Sequence, residues 1–246
     1  MKAAIHQPHY FPWLGLLDKI AKVDCFILAD EMQLTNPSNM FRNRFLSQSG
    51  KEKHLTISFD KTDYLKLPFN VVKINHIIRW QIEHSRFLVA AYEKCDHFHK
   101  IWPYISDIFQ KDYETVCQVC LDTIEAEKEL LGIKTPIRLQ SKLDYAHPLL
   151  CKNERLIALL KAMGANIYLS GNGARKYNDE EKYKDNQIEL VYQQFTHPQY
   201  PQIHSQEFVP NLSALDLLFN CGIEMSREIF WENVRAANEF ETVANR

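Results

Sequence analysis

Residues 1–30 read MKAAIHQPHYFPWLGLLDKIAKVDCFILAD, and three patterns follow one another within them. Ala3, Ala4 and Ile5 form a short apolar run, Leu14 to Ala21 repeats its apolar residues with the helical period, and Cys25 opens a second apolar run that ends in Asp30 and Glu31. Strand, helix and strand in that order predict a βαβ unit.

The same alternation returns near the end of the chain. KTPIRLQSKL reads as a strand, KNERLIALLKAMG as a helix capped by Asn153 and stopped at Gly164, and ANIYLSG and IELVYQQF as further strands. Between the two units, Glu31 to Lys53 lacks a period and reads as a loop or broken helix. HLTISF and PFNVVKIN look like a hairpin-like pair, and Trp80 to Leu131 is helical with a break at Trp102-Pro103 and a stop at Gly132. SALDLLFNCG, capped by Ser213 and stopped at Gly222, and SREIFWENVRAANEFE predict two closing helices. The expected fold is α/β, with a parallel-sheet Rossmann-like core over residues 1–77 and 133–246 and a helical insert or subdomain over 78–132.

With 246 residues and 46% hydrophobic side chains, the chain can bury a sizeable core. Its 29 basic and 31 acidic residues leave a net charge of −2, so no overall field draws it to nucleic acid or an anionic membrane. The apolar runs fall well short of the roughly 20 residues that span a bilayer, and the first residues lead into a strand rather than a signal peptide. A cytoplasmic protein is expected. Cys25, Cys95, Cys117, Cys120, Cys151 and Cys221 are scattered, and free thiols are expected of them. Cys117 and Cys120 have metal or redox spacing but lie in a strong helical pattern with no second pair, which favours core-facing thiols.

Four segments could carry chemistry. In IHQPHYFPWLG, His6, Gln7 and His9 stand between a strand and a helix start, where free backbone amides favour anions and an imidazole can donate, charged near neutral pH. Tyr10, Phe11 and Trp13 equally suit a packed corner that the histidines cap. In NMFRNRF, Asn39, Arg42, Asn43 and Arg44 suit carboxylate or phosphate, as they would suit a solvated loop. In YLSGNGARKYNDE, Ser170, Gly171 and Gly173 would let the backbone approach a ligand, with Arg175, Lys176 and Tyr177 at hand, although a plain Asn-Gly turn has the same residues. In QQFTHPQYPQ, prolines would preset His197 and Tyr200, with His204 following. His97-Phe98-His99 is too weak a pattern for a metal site, and no GxSxG elbow supports a hydrolase triad.

Taken together and in this order, HQPHYFPWLGLLDKIAKVDCFILAD with Gln33, FRNR, LGIKTPIRLQSKL, YLSGNGARKYND, FTHPQYPQ and FVPNLSALDLLFNCG resemble the WbqC-like protein family. The resemblance implies a bacterial protein linked to biosynthesis of surface polysaccharides such as the O-antigen of lipopolysaccharide. Two departures stand out: Gln140-Ser141 where the family often has paired serines, and Gly173-Ala174 where it has Gly-Gly, so that a left-handed turn there would strain Ala174. The layout is also similar to HxGH-type nucleotidyltransferases, whose histidines hold phosphates, but Trp13-Leu14-Gly15 stands where their second histidine would.

The expected function is a transferase acting on an activated, phosphate-bearing small molecule (a nucleotide, nucleotide sugar or acyl donor), with His6 and His9 as catalytic candidates. Gln7, Gln33, Arg42, Asn43, Arg44, Ser170, Gly171, Gly173, Arg175, Tyr177, His197 and Tyr200 are the candidates for binding. The alternative is a non-catalytic sugar- or nucleotide-binding protein of the same pathway. A cysteine-dependent acyl transferase would have to use Cys25, whose apolar strand argues for an inert thiol. No cofactor is assigned, and an exposed helical arm would allow a symmetric homodimer.

Overall fold

The computed structural model describes residues 1–33, 40–145 and 152–244, with side chains through residue 236. Asn39 and Cys151 therefore lie outside the described residues. The opening unit is β1 (Lys2–His6), α1 (Leu14–Ala21) and β2 (Cys25–Leu28), as expected. An antiparallel hairpin of β3 (Arg42–Leu46) and β4 (Glu52–Thr56) follows, then α2 (Trp80–Tyr92), α3 (Phe98–Ser106) and α4 (Val116–Leu131). The second half runs β5 (Ile137–Leu139), α5 (Lys152–Ala162), β6 (Ile167–Ser170), α6 (Glu180–Asp185), β7 (Glu189–Tyr192) and α7 (Ala214–Ala244).

Five strands form one parallel sheet in the order β5-β2-β1-β6-β7. Strand residues alternate between two helical layers, as the two-residue period of a strand requires. Ala3, Ile5, Ile27, Ala29 and Tyr168 pack under α5 and α6, while Ala4, Phe26, Leu28 and Leu169 pack under α1, α4 and α7. Residues of α2, α3 and α4, among them Trp80, Leu88, Ile101 and Ile124, share one buried cluster with α1 and α7. The mixed α/β expectation with a Rossmann-like core holds. From β1 the chain winds one way through β2 and β5 and the other way through β6 and β7, so a topological switch point lies at the carboxyl ends of β1 and β6.

Several local expectations need correction. RNRFL is a strand, not a loop: Asn43 and Phe45 turn inward while Arg42 and Arg44 turn outward, a two-residue period disguised by a polar residue on its inner face. Its partner is the strand ending in HLT, so PFNVVKIN does not pair along its length and holds a short 3₁₀ turn at Phe69–Val71. Pro103 lies inside α3 rather than at a break; the rings of Phe98, Trp102 and Phe109 stack along this face and offset its one missing amide bond. Asn153 lies within α5, where its carboxamide ties that helix to the chain entering α6 by donating to the Tyr177 carbonyl. Ser213 does cap α7, accepting from the Leu215 amide, and Gly222, non-helical with φ of 77°, separates its two helical parts where the sequence placed the stop. Cys117 and Cys120 are buried on α4.

Candidate functional site

The chain between β1 and α1 is held from three sides. Phe11 takes a left-handed φ of 39°, its amide donates to Thr123 Oγ1 of α4, and its carbonyl accepts from Asn43 Nδ2 of β3. Tyr10 is fully buried, its hydroxyl 2.9 Å from His84 Nδ1. A buried phenylalanine in a strained conformation persists only where its surroundings over-determine it, and here α4, β3 and α2 supply the bonds. The aromatic part of this turn is therefore packing, and it fixes what the histidines face.

His6 ends β1 and lines two cavities. The smaller, about 280 Å³, lies between one face of α1 (Gly15, Leu16, Lys19), the turn Gly171–Gly173 after β6, and Gln193 after β7. Trp13 roofs it with its indole across Gly15, where a Cβ would come within 2.3 Å of the ring, so Gly15 is required by close approach. Lys19 is 3% exposed and donates to the Ile5 carbonyl at 3.2 Å; burial lowers its pKa to about 8. Trp13 supplies no side-chain cap to α1; its carbonyl accepts from the Leu16 amide at 3.0 Å, and Gly15 of the first turn borders the cavity. The larger cavity, about 810 Å³, opens on the α5 side and is lined by Gln7, Glu31, Gln33, Gln140, Arg155 and Asn178 among others.

His6 Nδ1 is 3.0 Å from the Gln7 carbonyl, an acceptor, so that nitrogen carries the proton and Nε2 keeps a lone pair. Burial, the nearby Lys19 and His9 hold the His6 pKa well below its ordinary value, and burial takes that of His9 to about 4. Both shifts favour the neutral imidazole over the charged donor that the sequence suggested. The local cation is Lys19, which the sequence pattern alone does not single out. His9 lines neither cavity; its ring meets that of His6 edge-on at 5.0 Å and backs it.

A family model of the WbqC-like protein family matches residues 7–228. The chain belongs to the WbqC-like protein family. It is 32% identical over 236 residues to uncharacterized protein Rv1507c of Mycobacterium tuberculosis, covering 91% of this chain and 95% of that protein. No solved structure matches. The resemblance read from the opening turn, FRNR and SGNGARKYND is thereby confirmed at the level of family.

The signature segments of this WbqC-like chain do not all meet at the cavities. Gln7 and Gln33 line the larger one, and Gln7 Nε2 donates to the Gln33 carbonyl at 3.2 Å. Gly171 and Gly173 line the smaller, neither with a left-handed φ, and Ala174 is likewise unstrained in a 3₁₀ turn. Ser170 is buried and accepts from Asn178 Nδ2, positioning a residue of the larger cavity. Arg42, Asn43 and Arg44 line neither: Arg44 pairs with Glu52 at 2.7 Å and donates to the Asn211 carbonyl. Arg175 lies 4.1 Å over the Tyr192 ring, and Tyr177 is exposed beneath Lys152. His197 packs on Phe195 and Phe208, its Nδ1 donating to the Pro198 carbonyl. Tyr200 joins Tyr92 and Gln202 around the buried Asp216, a network that fastens the Pro-rich loop to α7. Among the described residues no group of three or more His, Cys, Asp or Glu gathers as a metal site.

Proposed function

We propose that this chain is a cytoplasmic transferase of bacterial surface-polysaccharide (O-antigen type) or related metabolite assembly, acting on an activated, phosphate-bearing substrate. The observation that carries the reading is the smaller cavity at the switch point, where Lys19, the uncapped start of α1 and the Gly171–Gly173 turn surround a space beside His6. A buried ammonium with one bonded acceptor, beside the positive end of a helix that has no side-chain cap, suits a phosphate group. Charge growing on a departing phosphate would be met by Lys19, and His6 Nε2 would take the proton of the attacking group. Family membership supports the pathway setting.

A non-catalytic sugar- or nucleotide-binding role is favoured by one observation, the low pKa of His6, which makes it a weak base at neutral pH. Thermal-shift titration with inorganic pyrophosphate, nucleoside diphosphates and nucleotide sugars tests the site, since a ligand of the native state raises the midpoint. The transferase reading expects His6→Ala to keep ligand affinity and lose turnover with a nucleotide sugar and its acceptor. Unchanged turnover in His6→Ala contradicts a catalytic role for His6, and binding without turnover for any donor favours the binding-protein role.

A further inference from the structure

The larger cavity holds features that the phosphate reading does not use. Gln140, at the end of β5, is 1% exposed. Its Nε2 donates to Glu31 Oε2 at 3.2 Å and meets Tyr145 Oη at 2.7 Å; because a carboxylate accepts, the amide is oriented with its oxygen as the spare atom. Gln140 Oε1 is buried with no hydrogen-bond partner. Asn178 repeats the arrangement on the opposite side of the switch point: its Nδ2 donates to Ser170 Oγ at 2.9 Å, and its Oδ1 is buried without a partner. Both residues line the same cavity. A buried acceptor left unpaired is costly, and two in one cavity wall call for a group that donates to them.

The rest of the lining narrows the class of that group. Lys152 and Arg155 add cationic groups and Glu31 a carboxylate, a mixed wall that suits hydroxyls able to donate and accept, while Lys66 is tied to Asp63 and Met32, Pro68 and Leu156 offer apolar surface to C–H faces. A nucleobase would want an open aromatic face. Among the described residues of this lining, Tyr168 is the aromatic one apart from the His6 ring, and it is 3% exposed and stacked on Tyr183 at 5.6 Å. Hydroxyl groups both donate and accept, as this mixed wall requires.

We infer that the larger cavity is a glycosyl subsite: it takes the polyhydroxylated sugar of a substrate whose phosphates lie beyond His6 in the smaller cavity, with Gln140 and Asn178 accepting from sugar hydroxyls. Both residues line the cavity while their unpaired oxygens are buried, so accepting from a sugar hydroxyl requires each carboxamide to turn toward it. The inference rests on the phosphate reading of the smaller cavity and adds the chemistry of the attached group.

Calorimetric titration of matched pairs (UDP and UDP-glucose, GDP and GDP-mannose, dTDP and dTDP-glucose) against the full chain tests it. In at least one pair the sugar should tighten binding by about tenfold, the worth of one or two good hydrogen bonds. Gln140→Met and Asn178→Ala should each bring that ratio toward one and leave the diphosphate affinity unchanged. Saturation-transfer NMR on the unaltered protein discriminates even where a variant fails to fold, with the sugar-ring protons expected to receive the strongest saturation. A ratio near one in all three pairs, or saturation confined to base and ribose protons, overturns the subsite while diphosphate binding keeps the phosphate reading. Equal weakening of diphosphate and sugar-diphosphate by Gln140→Met also overturns it, since the nucleotide itself would then fill the cavity. Failure of every diphosphate to bind removes the phosphate reading, and the subsite falls with it.

Discussion

Lys19 carries its ammonium in a buried position on α1, and burial there costs the fold stability. Its pKa of about 8 lies below the ordinary 10.5, so between those values the native state binds fewer protons than the unfolded chain, and stability rises with pH across that window. At pH 7 the buried charge costs up to about 3 kcal/mol. Lys19→Met should therefore raise the unfolding free energy at pH 7 and flatten its rise between pH 8 and 10.5, as read by denaturant unfolding at several pH values; a loss of stability at pH 7 would contradict the assignment. His84 gives a second pH prediction, in a lower range. Burial lowers its pKa to about 3 from the ordinary 6.5, so the unfolded chain takes up a proton first and stability falls as pH drops from 6.5 toward 3. His84→Asn should lessen that acid loss while weakening the bond to Tyr10. Neither residue betrays its role in the sequence: Lys19 reads as the polar face of an amphipathic helix, and its burial follows only once β6 and the Gly171 turn are laid beside it.

At the scale of elements, the turn from β1 into α1 depends on neighbours far along the chain. Asn43 belongs to the hairpin and Thr123 to α4, yet both bond the backbone of Phe11. Asn43→Leu would leave a buried carbonyl unpaired and should cost about 1 to 3 kcal/mol in chemical denaturation; no measurable loss would show the hairpin is not what holds the turn. Gly15→Ala should displace the Trp13 indole, whose ring occupies the space of the new methyl, and so change tryptophan fluorescence and weaken any ligand of the smaller cavity. Gly222→Ala meets both a φ of 77° and the His97 ring at 2.7 Å, so it should destabilise the two-helix junction of α7, where the same exchange inside a regular helix would stabilise by up to about 1 kcal/mol. The strands β1, β2, β6 and β7 are legible in the sequence because their apolar runs are continuous. The hairpin strand β3 is not, because Asn43 fills an inward position for the sake of the Phe11 carbonyl rather than for packing.

For the whole molecule, the strand order β5-β2-β1-β6-β7 decides where a ligand can sit. Two strand-helix units read from the sequence predict such a sheet, but nothing local in either shows that β1 and β6 are neighbours, and the switch point exists only between them. That is why His6 and the Gly171 turn stand apart as sequence motifs and meet at one cavity in the fold. Arg44 of β3 and the rings of the Pro-rich loop, equally prominent as sequence, instead fasten the layers around it. The family's signature residues thus divide between those that border the two cavities and those that hold the walls in place. Calorimetry of inorganic pyrophosphate with the unaltered protein and with Lys19→Met at pH 7 tests the phosphate site most directly. Saturable binding that weakens by about tenfold or more in Lys19→Met is the predicted result; equal affinity in the two proteins, or no binding to either, would contradict it.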